Sequence, residues 1–336
     1  MADDGAAVRS RVWRAGELEA EDFPFEKISD YLEEEGCLVW VDICHPDSHK
    51  LTELAEELSL DPLAVEDALS HGERAKATRY ATHTFITAYA ADIRAEQDTG
   101  DHRPQLTTPR VSAFVLKHGI VTVRGDDGFN MDAVVQRWDE NGDLLKYGVG
   151  ALVHGLLDVI VDSHFEAVQA LDEKMEALED GLFDEKAATH EVQRRTYSIR
   201  KDLVQLRRVV LPMRELVNAV LRHRKDFNAP SELDGWYDDL YDHVLRATEW
   251  TESLRDMVTT IFETNLSLQD ARLNTVMKKL TGWAAIIAIP TAVTGYFGQN
   301  LPYPGFQQHW GYALSSALIL TIAGTLYLTF KRKNWL

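Results

Sequence analysis

Apolar residues along this 336-residue chain change their spacing twice. Residues 37–43, 84–93, 111–117 and 120–124 are short, β-branched, apolar runs that predict strands, the last two forming a hairpin that turns at His118-Gly119. Between the first two runs, residues 47–58 read as a capped helix and residues 61–69 as another, with Pro62 in its first turn. A small sheet covered by helices is expected, its strand order left open. From Val149 onward the spacing is helical. Val168, Leu171, Met175, Leu178 and Leu182 recur at 3-4-3-4. After a break over 181–188, Ile199, Leu203, Leu206, Val210, Met213, Val217 and Val220 continue the pattern, which predicts an antiparallel helical hairpin. Its outer face, with Glu166, Asp172, Glu173, Glu176, Glu179 and Asp180, reads as solvated, a cation-sensing surface being the alternative.

A second break at Asn228-Ala229-Pro230-Ser231 precedes a third helical stretch, free of proline from Trp236 to Ile289. Continued through Phe297, this helix would be roughly 90 Å long. One face, Leu240, Val244, Ala247, Thr251, Leu254, Val258 and Ile261, is expected to be buried. Another steps by 4 and 3 through Asp256, Thr260, Glu263, Ser267, Asp270, Asn274, Met277, Thr281, Ala284, Ala288, Thr291 and Gly295. Every member except Met277 is small or polar. The end of this helix (280–297) and a later stretch (311–330) are each apolar and about long enough to cross a hydrocarbon core of ~30 Å.

The expected fold is therefore an α+β membrane protein. Its parts are an α/β domain over 1–147, the hairpin over 148–228, the long helix entering the membrane over 232–297, a loop over 298–310, a second transmembrane span over 311–330 and a basic tail over 331–336.

Charge sharpens this picture. The chain carries −19 overall, yet no Asp or Glu follows Asp270, and six of the 35 basic residues lie beyond it. The first 270 residues thus hold all 54 acidic side chains against 29 basic ones. So acidic a body disfavours nucleic acid as a partner and attracts cations. Basic residues flank the two spans while residues 299–310 carry none, so both termini are expected in the cytoplasm and the loop outside. The acidic start has no apolar core, and no cleavable signal is expected. Cys37 and Cys44, seven apart, have no metal-binding spacing and are expected to be reduced and structural.

On the long helix, the small and polar stripe keeps its register from the soluble segment into the first span. Separately, it would be a solvated face and then a small-residue packing seam. Together they point to a water-lined axis shared by several copies, because two spans per chain cannot enclose a channel alone. Met277 and Leu280 are the bulky residues at the inner edge, where such rings can close a pore by excluding water.

The sequence resembles CorA-type magnesium transporters over nearly its whole length. Their Gly-Met-Asn signature, within Tyr-Gly-Met-Asn-Phe, corresponds here to Tyr296-Phe297-Gly298-Gln299-Asn300-Leu301. Asn274-Thr275-Val276-Met277-Lys278-Lys279-Leu280-Thr281, Tyr237-Asp238-Asp239-Leu240-Tyr241-Asp242-His243, Asp61-Pro62-Leu63-Ala64-Val65-Glu66-Asp67 and the Trp-containing basic end are also similar to the family's. The resemblance implies a funnel-shaped homopentamer in the plasma (inner) membrane, with self and membrane lipid as partners. It implies an outer cation ring from Asn300 and the Gly298 carbonyl, with Thr291, Gly295 and Asn274 lining the pore below. Asn274, Met277 and Leu280 would form the gate. Asp67 and a neighbouring chain's Asp239, with Glu263 grouped beside them, would hold regulatory Mg²⁺. That ion would offset carboxylate repulsion of roughly 4 kcal/mol per close pair. The cargo implied is Mg²⁺, with Co²⁺ and Ni²⁺ as side activities.

Two departures stand out. Gln299 replaces the usual Met, and the loop lacks the Glu that many members carry, presenting Gln307, Gln308 and His309 instead. His309 would favour a softer ion such as Zn²⁺ or simply face solvent. A ZntB-like zinc transporter is the alternative within the superfamily, and a membrane-tethered sensor or scaffold the alternative from another class. An enzyme is not expected, because no phosphate loop, His-Glu-x-x-His or Gly-x-Ser-x-Gly occurs. His45-Pro46-Asp47 and His71-Gly72-Glu73 read as turns, and His154 with Asp158 as a hydrogen-bonded pair rather than a metal site.

Overall fold

A computed structural model describes residues 7–46, 48–70, 72–95, 104–182, 189–226, 229–300 and 302–335. The chain divides into two compact units, one ending at Thr259 and the other beginning at Thr260.

In the first unit, seven strands form a mixed sheet. They are β1 (Ala7–Arg14), β2 (Glu17–Glu21), β3 (Cys37–Cys44), β4 (Lys76–Arg79), β5 (Thr84–Tyr89), β8 (Arg110–Val115) and β9 (Gly119–Arg124), in the order β2-β1-β3-β9-β8-β5-β4. Only β3 and β9 run parallel, with Val39 opposite Gly119 and Cys44 opposite Arg124. Both are buried along their entire length, which their apolar composition requires of central strands. Gly119, at the hairpin turn, lies so close to β3 that a Cβ there would overlap the Val39 carbonyl. The short strands β6 (Asp92–Ala95) and β7 (Pro104–Thr107) pair separately.

One face of the sheet packs on α1 (Ile28–Glu33), α2 (Ser48–Glu57) and α3 (Pro62–Leu69) around Val39, Val41, Phe85 and Phe114. The Asp61 side chain caps α3 by accepting from the Leu63 N–H, 2.9 Å away, as the Asp-Pro sequence predicts. The other face packs on α4 (Met131–Glu140), α5 (Gly142–Leu145), α6 (Val149–Leu182), α7 (Thr189–Asp226) and the start of α8 (Asp234–Phe297). There Trp13 and Trp40 both meet Trp138 edge-on. Helices α6 and α7 bury the two expected seams, from Val168 to Leu178 and from Ile199 to Val220. The turn joining them lies outside the described residues, as do Asp47 and His71.

The predicted run over 84–93 is two elements. Strand β5 ends at Tyr89: the Ala90 N–H still donates in register to the Pro109 carbonyl, but Pro109 has no N–H to return, and the Ala91 N–H donates to Ser163 Oγ instead. Strands β1 and β4 were not anticipated. Charged side chains interrupt both: Arg9, Arg11 and Arg14 on β1 bind acidic partners, Asp132, Asp139 and Glu19 among them.

At the centre of the sheet, buried Asp42 on β3 faces buried Arg124 on β9. Arg124 Nη2 and Nε donate to its carboxylate at 2.6–3.2 Å, and Thr122 Oγ1 donates at 2.7 Å.

Helix α8 runs unbroken for 64 residues, with Pro290 inside it. The expected buried face from Leu240 to Ile261 is fully buried. In the second unit, α9 (His309–Arg332) extends beyond the apolar stretch at both ends. The part of α8 in this unit and α9 are long and apolar enough to cross a membrane. They touch through Trp283 and Tyr327, whose ring centroids are 6.5 Å apart. After Arg332 the chain folds back, the Trp335 N–H donating to the Phe330 carbonyl at 2.9 Å and its ring stacking on Phe330.

Candidate ion pathway

All twelve residues of the small and polar stripe on α8 are exposed in the single chain. Between Asp256 and Ile261 the helix has two distinct sides, one buried and one exposed. From Ala271 to Leu280 every position is exposed, including Leu273, Val276, Met277 and Leu280 at 57–63%. Apolar side chains of this size need lipid or another protein surface to cover them. Within the span the stripe supplies little hydrogen-bonding capacity of its own. Thr291 Oγ1 turns back to the Ile287 carbonyl at 3.4 Å, leaving its acceptor lone pairs outward.

At its end α8 is closed by the signature residues. The Gly298 N–H donates to the Thr294 carbonyl at 2.8 Å, and a Cβ at Gly298 would come within 2.9 Å of that same oxygen. Glycine therefore suits this tight exit. Beyond it, Asn300 is exposed, free to present its amide. The loop is pinned by Tyr303, whose hydroxyl donates to the Phe297 carbonyl at 2.8 Å. Its ring packs among Tyr296, Phe297 and Phe306 at centroid distances of 5.1–6.4 Å. Gly298 and Asn300 are thus brought together on an anchored turn, and Asn274, Met277 and Leu280 follow one another on the same helix. Tyr303 was not singled out from sequence; its signal is the aromatic spacing around the signature.

The acidic residues assigned to regulation have separate surroundings. Asp67, on α3, is half-buried, and its Oδ2 is 2.7 Å from Lys76 Nζ, which also binds Glu73 at 2.9 Å. Burial works against the Lys76 charge, but the bonds to Asp67 and Glu73 outweigh it and raise its pKa. The guanidinium of Arg110 donates to the carbonyls of Asp67 and Ala68, closing the end of α3. Asp239, on α8, is largely exposed, with His243 Nδ1 3.8 Å away. Glu263 is exposed and belongs to the second unit. Within one chain, then, Asp67 is already balanced by a lysine, a partner the sequence did not reveal.

The pair expected between His154 and Asp158 does not form. Asp158 binds Arg137 of α4, which also holds Asp162 at 2.7 Å. His154 Nε2 instead donates to the Trp236 carbonyl at the start of α8, 3.1 Å away. A full guanidinium charge outcompetes an imidazole whose burial lowers its pKa. His164, one of the most deeply buried residues, likewise donates through Nε2 to the Tyr89 carbonyl at 2.8 Å, and burial pushes its pKa down to about 4.

A sequence model of the family described as CorA-like Mg²⁺ transporter protein matches residues 35–332. The chain is 28% identical over 285 residues to the cobalt/magnesium transport protein CorA of Thermotoga maritima, covering 84% of this chain and 79% of that protein. It is 27% identical over 323 residues to the zinc transport protein ZntB of Yersinia enterocolitica, covering 90% of this chain and 89% of that one. Among solved structures, the complete CorA magnesium transporter from Methanocaldococcus jannaschii matches with a TM-score of 0.74 at 22% identity, over 98% of both chains. That likeness is one of fold.

Proposed function

This chain belongs to the CorA-like Mg²⁺ transporter family, and on that premise we propose that it is a pentameric uptake channel for Mg²⁺, with Co²⁺ and Ni²⁺ as side cargoes. The single observation that carries the reading is the stripe on α8: twelve positions in one register, all exposed, running down to an exposed Asn300. Five such faces around an axis would cover each stripe, which is exposed in one chain. Mg²⁺ gives up water reluctantly and prefers octahedral oxygen ligands. A ring of Asn300 amides and Gly298 carbonyls suits a hydrated ion, which it would hold through its own water. Thr291, Gly295 and Asn274 would line the way, and Met277 and Leu280 would close it by excluding water. Lipid of the plasma membrane would cover the outer spans, with both termini in the cytoplasm.

Regulation would come from Mg²⁺ held by Asp67 and a neighbouring chain's Asp239, with Glu263 adding charge nearby. Five copies at −19 each repel strongly without it. Because Lys76 already occupies Asp67, the ion would have to displace that ammonium or share the carboxylate with it.

The second reading is zinc transport, favoured by the similarity to the Yersinia protein and by the neutral loop with Gln299 and His309. Growth rescue of a host lacking magnesium transport, followed by Mg²⁺ and Zn²⁺ uptake, separates the two. Rescue by the wild type and its loss in Asn300→Ala supports the channel. Uptake of Zn²⁺ alone supports the second reading. Unchanged Mg²⁺ uptake in Asn300→Ala overturns the assignment of the ring.

A further inference from the structure

We propose that Cys44, His45 and Asp127 form a binding site for a thiophilic divalent cation, Zn²⁺ or Co²⁺, in the α/β domain. The parallel strands β3 and β9 end side by side, Cys44 opposite Arg124. The turns that follow bring His45 and Asp127 to the same point, although Asp127 is 83 residues from Cys44. Cys44 Sγ lies 3.3 Å from His45 Nδ1 and 3.1 Å from Asp127 Oδ1. One donor atom from each of the three residues falls within 4.8 Å of the other two. Tetrahedral zinc, with a Zn–S bond of ~2.3 Å and Zn–N or Zn–O bonds of ~2.0 Å, separates its ligand atoms by about 3.5 Å. The observed spacing needs only a slight opening to admit the ion.

The donor set selects the metal class. Thiolate and imidazole are poor ligands for Mg²⁺, which the ion pathway would take, and good ones for zinc or cobalt. Cys44 is buried while His45 and Asp127 are exposed, so the site is backed by the sheet and open to solvent for a fourth ligand, water. His45 is fixed in the left-handed region (φ 53°), its N–H donating to the Arg124 carbonyl at 3.0 Å. The nearby positive charge of Arg124, 3.8 Å from Asp127, is engaged by buried Asp42 and so opposes a cation less than a free guanidinium would. Without metal, the Cys44 thiol donates to Asp127. On binding, that S–H bond breaks, an S–metal bond forms, and the proton leaves to solvent, with no change of oxidation state.

Cobalt titration of the purified full-length protein in detergent tests this. One equivalent of Co²⁺ per chain is expected to produce the near-ultraviolet thiolate-to-cobalt charge-transfer band, and Zn²⁺ to abolish it by competition. Cobalt held by oxygen ligands along the ion pathway gives no such band, so failure here is distinguishable from failure of the transport reading. Cys44→Ser should remove the band and Cys37→Ser should retain it. His45→Ala and Asp127→Asn, both at exposed positions, should weaken cobalt binding by at least the roughly tenfold that even outer-shell changes cause. No band at saturating cobalt, a band surviving Cys44→Ser, or unchanged affinity in both exposed variants overturns the proposal. In the first case the cluster is a hydrogen-bonded thiol and nothing more.

Discussion

The Tyr303 hydroxyl donates to the main-chain carbonyl of Phe297, binding the loop to the last residue of α8 just before Gly298 and Asn300. The carbonyls of a helix's last turn have no partner within the helix, so this bond both satisfies one of them and holds the turn still. Tyr303→Phe deletes the bond and keeps the ring among Tyr296, Phe297 and Phe306. A neutral hydrogen bond contributes about 1 kcal/mol, so cation uptake is expected to fall about fivefold. Protein amount and assembly should be unchanged. Uptake equal to wild type would separate the loop anchor from transport.

Lys76 holds Asp67 at 2.7 Å in a partly exposed ion pair. If Asp67 also holds the regulatory cation, Lys76→Met should let Mg²⁺ inhibit at concentrations about two- to fivefold lower, the range expected for a pair of this exposure. Inhibition curves of transport against internal Mg²⁺ read this directly. A shift to higher concentrations would mean the lysine helps build the site instead of competing for it.

Arg124 and Asp42 are both buried and bound to each other. Arg124→Met strands a carboxylate in the core of the sheet and should destabilise the protein by about 3–5 kcal/mol. Asp42→Leu combined with Arg124→Met should recover most of that loss, because no buried charge is left. Thermal melting of the two purified variants distinguishes an unpaired charge from a simple packing defect, in which the double variant would be the worse of the two.

His164 is held neutral by burial, with its pKa near 4. The unfolded chain titrates near 6.5, so below that pH it takes up a proton that the folded chain refuses. The resulting stability is present above pH ~6.5 and is lost as pH falls toward 4, by up to about 3 kcal/mol. Buried His154 shifts in the same direction. His164→Asn keeps a donor for the Tyr89 carbonyl and removes the titration. Its melting temperature should therefore fall less steeply between pH 6.5 and 5 than that of wild type, and a parallel decline would contradict the assignment.

Helical periodicity carried far in this chain. The seams of α6 and α7 and the buried face of α8 were readable because a repeat of 3.6 residues returns the same face to the core over many turns. Strands were harder. In β1 the arginines and a register shift between Val12 and Trp13 hide the alternation, and β4 is only four residues long. The end of β5 at Tyr89 is set by Pro109, which has no N–H to offer, and by the bond that Ala91 makes to Ser163. The signature loop was legible as a motif, but the Tyr303 anchor that holds it was not.

By itself, the order of residues determined where the helices run, which of their faces are apolar, and where two stretches become long enough to cross a membrane, since each depends only on neighbours along the chain. Which distant groups meet was decided by the folded backbone. The registration of β3 beside β9 sets Arg124 against Asp42 and brings Asp127 to Cys44 and His45. The docking of α4 against α6 delivers Arg137 to Asp158 in place of His154. Such pairings are chosen by distance and charge in three dimensions, and spacing along the chain holds no record of them.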